Sequence, residues 1–169
     1  MEDLSLDLAR TALVTIDLQH GTLGPQLAPH PAERVVGNCS QLAQEMHDFY
    51  VSKDVKGLQR SCFRYESFPE QAMSAREANE ALVAGRVDFV PIDAIDGRVA
   101  ATLELIYPPG IGIIIPGERY DDRARPMKDY FLAFEESFNR FPGFNYEVQG
   151  VYQERIDGRI KFYTYAVRQ

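Results

Sequence analysis

A stripe of large apolar side chains at helical spacing constrains the fold of this chain more than any other feature of its sequence. Within residues 121–141 the stripe consists of Met127, Tyr130, Phe131, Phe134 and Phe138. This spacing places the five side chains on one face of an α-helix, and the Pro142-Gly143 pair that follows is typical of a helix end. We expect the longest helix of the chain here, with its aromatic face packed on a sheet.

The sheet is predicted from short apolar runs separated by turn signals. Residues 87–92 and 98–106 are predicted strands, and Asp96-Gly97 between them favours a tight hairpin because glycine tolerates a positive φ. Residues 111–115 predict a buried strand, and residues 146–153 and 159–167 predict a hairpin around Asp157-Gly158. Together these elements predict an α+β fold in which a small mixed sheet packs against the long helix.

The N-terminal part predicts a β-α element and then a short capped helix. Residues 11–18 form an apolar, β-branched run that is typical of a buried strand. After Pro31, apolar side chains recur on one helical face at Val35, Cys39, Leu42, Met46 and Phe49. Ser74 and Glu77 form the S-x-x-E pattern that opens a helix, and Gly85 is placed to end it.

Composition and charge exclude several classes of protein. The 169 residues carry 18 basic and 25 acidic side chains, a net charge of −7, which would repel nucleic-acid phosphates and anionic lipid. No apolar run reaches the ~20 residues that span a bilayer, and the first seven residues are acidic where a signal peptide is basic. We therefore expect a cytoplasmic protein that binds neither nucleic acid nor membranes.

Seven short sequence words follow the order and spacing of one known family. The most unusual is YPPGIGIIIPGERYDD at residues 107–122. The others are EMHDFY (45–50), FPEQAM (68–73), GRVAA (97–101), DYFLAFEE (129–136), FPGF (141–144) and QGVY (149–152). From about residue 40 onward the chain thus resembles the C-terminal domain of bacterial PLP-dependent ornithine/lysine/arginine decarboxylases, and FPEQAM and QGVY resemble the ornithine branch.

The resemblance implies a PLP-dependent amino-acid decarboxylase without its cofactor domain. PLP catalysis needs a lysine that holds the cofactor as a Schiff base and an acidic partner for its ring nitrogen. The family places this lysine in a Ser-x-His-Lys word, which none of the lysines follows: Lys53, Lys56, Lys128 and Lys161. We therefore expect no catalytic residue, no cofactor-binding residue and no cofactor in this chain, although the intact family uses PLP.

Residues 107–118, which we call the signature loop, supply the candidate functional residues. The resemblance implies a substrate-entrance or interface role for Tyr107, Pro108, Pro109, Gly110 and Glu118. The structural alternative is that the prolines only interrupt a strand and that Glu118 caps the turn or pairs with Arg119 or Arg123. The family motif usually has proline after YPPGI, where this chain has Gly112.

The first 39 residues resemble a different family. Residues 11–38 are similar to the opening strand, loop and helix of isochorismatase-like cysteine hydrolases, in which the aspartate of the D-x-Q word, here Asp17, belongs to an Asp-Lys-Cys catalytic set. The lysine and cysteine parts of that pattern are missing further along the chain. We expect two regions, residues 1–39 with Asp17 as a hydrolase-like remnant and residues 40–169 as the decarboxylase-like domain. His20 and His30 lack zinc-site spacing, so no metal is predicted.

The resulting hypothesis is a non-catalytic C-terminal module with a structural or regulatory role. It would pack on a PLP-bearing decarboxylase subunit, or form a homodimer through a sheet face built from residues 99–106 and 111–115. Tyr163 and Tyr165 share one side of the last strand, which is either an interaction face or ordinary surface. The alternative hypothesis is a small cysteine-hydrolase-like or ligand-binding protein that uses the Asp17 loop, with Cys39 or Cys62 as nucleophile.

Overall fold

The computed structural model describes residues 30–107 and 110–168, and this part of the chain contains four α-helices and five strands. The helices are α1 (Ala32–Ser52), α2 (Val55–Cys62), α3 (Ala75–Val83) and α4 (Arg125–Arg140). The strands are β1 (Val87–Pro91), β2 (Leu105–Tyr107), β3 (Glu147–Gln149), β4 (Tyr152–Ile156) and β5 (Arg159–Val167). The strand predicted at residues 11–18 lies outside the described residues.

The strands form two small antiparallel sheets. The first has the order β1-β5-β4, and its register pairs Phe89 with Tyr165 and Tyr152 with Tyr163. The second joins β2 to β3. The predicted hairpin turn at Asp157-Gly158 and its second strand are confirmed, since both turn residues have positive φ, 49° and 80°, as a two-residue hairpin turn requires. The first strand, predicted at residues 146–153, is wrong in its bounds, because the chain turns at Gly150 and divides this segment between β3 in one sheet and β4 in the other.

Helix α4 covers the inner face of the three-stranded sheet. All five members of the predicted stripe are buried, and the Phe138 ring meets the Phe162 ring of β5 edge-to-face at 5.2 Å between centroids. The helix starts later than predicted, because residues 122–124 form a 3₁₀ turn whose first amides are capped by the Asp121 carboxylate. The prediction that this helix is the longest is wrong, because α1 has 21 residues and α4 has 16.

Helices α1 and α3 confirm the two other helix predictions. Within α1 the five predicted apolar positions are the less exposed face, although only Phe49 is buried. Phe49 anchors the end of α1 against Phe141, with ring centroids 5.6 Å apart. In α3 the Ser74–Glu77 capping box forms as predicted. The α+β class and the packing of a small sheet on a long helix are therefore confirmed.

Two strand predictions around the signature loop are wrong. Strand β1 pairs with β5 and not with residues 98–106. Of these, residues 98–104 change partners along their length and make only isolated bridges, and Leu105 and Ile106 belong to the β2–β3 ladder. The Tyr120 amide donates to the Arg98 carbonyl, whereas the Ala101 amide donates to the carbonyl of Tyr165. Residues 111–115 contribute only an isolated bridge between Glu104 and Ile114. The sheet face expected to form a homodimer is therefore not present.

Candidate functional site

The signature loop starts where β2 ends, at Tyr107. The ring of Tyr107 is 54% exposed and lies over Gly110, where a Cβ would come within 2.9 Å of its Cδ2 atom. Gly110 has φ +76°, a conformation that L side chains rarely adopt. Pro108 and Pro109 lie outside the described residues.

The rest of the loop is tied to the body of the domain by backbone hydrogen bonds. The Gly117 amide donates to the Ala100 carbonyl over 2.8 Å, and the Gly117 carbonyl accepts from Ala72 over 2.9 Å. Gly117 has φ +92°, and a Cβ there would lie 3.1 Å from the carbonyl carbon of Met73 and closer still to its oxygen. The close approach of the Met73 backbone therefore requires glycine at position 117.

Glu118 stabilises the end of the loop by a hydrogen bond within the loop itself. Its Oε2 atom accepts a hydrogen bond from the Ile115 amide over 2.8 Å, and burial raises the pKa of this half-buried carboxyl, partly offset by that bond. Arg119 pairs instead with Glu70 at 3.2 Å. Among the ion pairs of the described residues none joins Glu118 to Arg119 or Arg123, so the capping alternative describes Glu118 better than the ion-pair alternative.

Glu104 is a functional candidate that the sequence analysis missed. Its side chain is fully buried beneath the signature loop. It accepts hydrogen bonds from the hydroxyl of Tyr120 and from Oγ1 of Thr164, the latter over 2.8 Å. Burial outweighs these bonds and raises the pKa of the Glu104 carboxyl to about 8. The carboxyl is therefore mostly protonated at pH 7, which is unusual for glutamate.

Four apolar side chains in the loop or just before it are exposed to solvent. We call them the loop face: Leu103, Tyr107, Ile111 and Ile115, each exposed by more than a third. An open depression of about 610 Å³ adjoins Ile111 and is also lined by Gln59, Arg60, Phe63 and Arg64. Phe63 is itself 41% exposed, so two apolar side chains and two arginines line the depression.

A second exposed aromatic group lies on the outer face of the three-stranded sheet. The Phe89 ring stacks on Tyr163 at 4.9 Å and lies 5.0 Å from Tyr165, with Tyr152 on the same side. Tyr163 and Tyr165 therefore do share one side of β5, as predicted. Their rings are partly covered by Phe89, so the pair is one half of a surface aromatic cluster.

Three of the four lysines are held in ion pairs with carboxylates. Lys53 pairs with Glu136 at 2.5 Å, and Lys128 pairs with Asp96 at the same distance. Lys161 pairs with Asp93, whose hydrogen bond raises the pKa of the lysine and keeps it protonated. Schiff-base formation needs the neutral amine, which the ion pair with Asp93 disfavours at Lys161. Lys56 is exposed on α2.

The cysteines give little support to a hydrolase. Burial raises the pKa of the Cys62 thiol to about 12, whereas a nucleophilic cysteine needs a lowered pKa. Cys39 lies on α1 and is partly exposed. Asp17 and His20 lie outside the described residues. Within residues 30–107 and 110–168 no three acidic, histidine or cysteine side chains are grouped to hold a metal, and no helix is long and apolar enough to cross a membrane.

Comparison with known proteins agrees with the family resemblance. The sequence model of the "Orn/Lys/Arg decarboxylase, C-terminal domain" family matches residues 56–168. The chain is 47% identical over 128 residues to an ornithine decarboxylase of Haemophilus influenzae and 46% identical over 129 residues to the constitutive ornithine decarboxylase of Escherichia coli. These matches cover 75% and 76% of the chain but only 17% and 18% of the relatives.

Solved structures show the same relationship. Lysine decarboxylase A from Pseudomonas aeruginosa matches with a TM-score of 0.66 and 33% identity, over 73% of this chain and 16% of that one. The E. coli constitutive lysine decarboxylase matches with a TM-score of 0.65 and 26% identity, over 75% of this chain and 17% of that one. The comparisons do not support the resemblance of residues 1–39 to isochorismatase-like hydrolases. The chain belongs to the Orn/Lys/Arg decarboxylase family and corresponds to its C-terminal domain.

Proposed function

We propose that this chain is a non-catalytic docking module that packs through its loop face on a PLP-bearing decarboxylase subunit. The observation that carries the proposal is the loop face itself, where four apolar side chains are exposed on a backbone held by hydrogen bonds on its inner side. Exposed apolar clusters of this kind mark interaction sites. The chain spans about a sixth of its relatives, 17% in the first, so in them most of the polypeptide lies outside this domain.

The chemistry of the loop face specifies what the partner must offer. An apolar patch has to cover Tyr107 and Ile111, and a carboxylate has to lie opposite Arg60 or Arg64 at the edge of the depression. The candidate residues Tyr107, Pro108, Pro109 and Gly110 would then lie at this interface, with Glu118 holding the loop from within. Identity is 41–47% to the ornithine decarboxylases of H. influenzae and E. coli, 39% to the lysine decarboxylase of P. aeruginosa and 36% to an ornithine decarboxylase of Lactobacillus. The three highest of these values support an ornithine-type partner.

The proposal also includes a domain boundary, the absence of a bound cofactor and a cellular compartment. The region from about residue 40 would be the decarboxylase-like domain, and α1 runs without a break across that boundary. The module would bind no PLP itself and would work in the cytoplasm. A homodimer through the loop face is the competing association, since a second copy could cover the same apolar patch.

The test uses an ornithine decarboxylase from which the C-terminal domain has been removed. The full 169-residue chain is titrated into this protein, and association is measured by sedimentation together with decarboxylase activity. We expect a complex at micromolar concentration and a gain of activity. Ile111→Glu should prevent the complex by placing a charge in the patch, while Ile156→Glu is the matched control on β4, since Ile156 is exposed to 43% against 56% for Ile111.

The outcomes separate the hypotheses. Equal binding by the Ile111→Glu and Ile156→Glu variants would show that the loop face is not the docking surface. If the chain forms only a homodimer, and Ile111→Glu abolishes this dimer, then the partner of the loop face is a second copy of the chain and not the decarboxylase subunit. Absence of any complex at ~100 µM, well above a micromolar dissociation constant, would reject the docking role.

A further inference from the structure

Glu104 joins three separate parts of the fold. Its backbone amide donates to the Ile114 carbonyl over 2.9 Å, and its carbonyl accepts from the Ile113 amide over 2.8 Å. Its carboxyl contacts Thr164 in the middle of β5 and Tyr120 just before α4. One fully buried residue therefore connects the signature loop, the β4–β5 hairpin and the start of α4.

The hydroxyl of Thr164 has two possible acceptors at equal distance. Its Oγ1 atom lies 2.8 Å from Oε1 of Glu104 and 2.8 Å from the carbonyl oxygen of Gly150. When Glu104 is ionised, Thr164 can donate its proton to the carboxylate. When Glu104 is protonated, it can donate to Thr164, whose own proton then turns to Gly150. The arrangement thus has a complete set of hydrogen bonds for both protonation states.

The surroundings nevertheless favour the neutral carboxyl. No cation pairs with Glu104 among the ion pairs of the described residues. The titratable groups that face the site are Tyr120, Glu118 and, next to Tyr120, Cys62. None of them is positive, and the like charge of Glu118 opposes ionisation. An ionised Glu104 would be a buried charge held by two hydroxyl groups and no counter-ion.

We propose that Glu104 is a proton-dependent lock: in its neutral form it fastens the signature loop to the β4–β5 hairpin, and its ionisation loosens this junction. Glu104 lies beneath the signature loop, whereas the loop face is formed by exposed side chains in that loop or just before it. It does not depend on the docking role, because it concerns the stability of the domain alone.

The direction of the pH effect follows from proton linkage. In the unfolded chain Glu104 loses its proton near pH 4.5, whereas in the folded domain burial raises its pKa to about 8. Between these values the folded state holds one more proton, so stability falls as the pH rises. For a chain of this size the slope from this one group is on the order of 3–5 °C of Tm per pH unit.

The experiment compares thermal unfolding of the full chain and three variants between pH 5 and 9. Glu104→Gln keeps the shape, accepts from Tyr120 and donates to Thr164, and so mimics the neutral form. The Tm of Glu104→Gln minus the Tm of the wild type should therefore increase as the pH rises. Thr102→Val is the matched control, because Thr102 bonds to Gly150 and Thr164 but not to Glu104, and it should keep the wild-type slope. Thr164→Val removes the hydroxyl that serves both states and should lower Tm throughout.

A direct measurement on the wild-type chain does not require any variant to fold. The infrared carbonyl band of a protonated carboxylic acid should be present at pH 6 and should disappear as the pH rises through 8, where the carboxyl pKa lies. The Ile113 and Ile114 amides should then exchange faster in wild type than in Glu104→Gln, after correction for intrinsic rates. Parallel pH slopes of Tm in wild type and Glu104→Gln, or an ionised Glu104 at pH 6, would overturn the lock.

Discussion

Substitution of Gly150 by alanine tests whether the β3–β4 connection fits as tightly against residues 103–104 as the structure shows. Gly150 has φ +71°, and a Cβ at this position would lie 2.8 Å from the carbonyl carbon of Leu103 and closer still to its oxygen. The contacted atoms are backbone, so no side chain can rotate away. The carbonyl of Gly150 also accepts hydrogen bonds from Thr102 and Thr164, which any displacement would weaken.

Gly85 provides the matched control for the size of the effect. It has φ +67°, close to the value at Gly150, but nothing lies within 4 Å of a Cβ built there. The left-handed conformation costs alanine about 1–2 kcal/mol, of which about 0.4–1 kcal/mol is offset by the lower entropy of the unfolded chain. At Gly150 the backbone displacement adds about 1–3 kcal/mol, and weakening of the two hydroxyl bonds adds about 1 kcal/mol.

We therefore expect Gly150→Ala to lower the free energy of unfolding by about 3–5 kcal/mol and Gly85→Ala by about 1 kcal/mol. Urea unfolding followed by circular dichroism measures both, and equal m-values show that the comparison is valid. If the two variants lose the same stability, the positive φ alone accounts for the effect and the close approach to Leu103 is wrong. A failure of Gly150→Ala to fold would agree with the larger cost, provided that Gly85→Ala folds.

Three further predictions concern the core, a surface carboxylate and the thiols. Phe131→Ala should lower the free energy of unfolding by about 3–5 kcal/mol, because Phe131 is fully buried in the stripe of α4; a loss below 1 kcal/mol in urea unfolding would contradict this packing. Hydrogen bonds from Arg168 and Arg98 hold the pKa of Asp88 below the ordinary aspartate value of 3.8. Asp88→Asn should therefore lower Tm at pH 7, and the difference should vanish as acid protonates Asp88 in the wild type; a difference that persists at the lowest pH would rule out the charge as its cause. In the native chain a thiol reagent should label Cys39 and leave Cys62 unreacted until urea is added, since Cys62 is buried; rapid labelling of Cys62 would revive the nucleophile hypothesis.

The elements predicted correctly from the sequence are those whose signals are local. The α4 stripe repeats within one helix, and the Ser74–Glu77 box lies within one turn, so both patterns can be recognised without knowing any distant partner. The Asp157-Gly158 turn likewise sets its own hairpin register. Each of these features was found because its sequence signal lies among neighbours in the chain, although the α4 stripe is stabilised by packing on β5.

The prediction failed where strand partners are distant. Gly97 has the positive φ expected of it, but a turn is not a hairpin unless the two flanking segments pair. Here β5 pairs with β1 and leaves residues 98–104 to bond with residues 114–120 and with the end of β5. Alternating apolar residues indicate that a segment is extended, but they do not say which segment lies beside it.

Glu104 could have been noticed from its sequence context. It stands between Leu103 and Leu105 in the apolar run that was predicted as a strand, and a charged side chain in such a run is either exposed or neutralised. The sequence could not decide between these alternatives, because Thr164 is 60 residues away and supplies a hydrogen bond that defines the site. A lone acidic residue in an apolar run deserves a place among candidate functional residues.

The exposure of the loop face follows from the same bonds that bury Glu104. The amides of Ile113 and Ile114 both approach the Glu104 carbonyl, and this contact turns their two side chains into the core, where they are 6% and 0% exposed. Ile111 and Ile115 at either end are then left outside, 56% and 39% exposed. The run of isoleucines predicts a buried strand only if the backbone is regular. Because the backbone instead bends around Glu104, half of the run faces the core and the other half remains available to a partner.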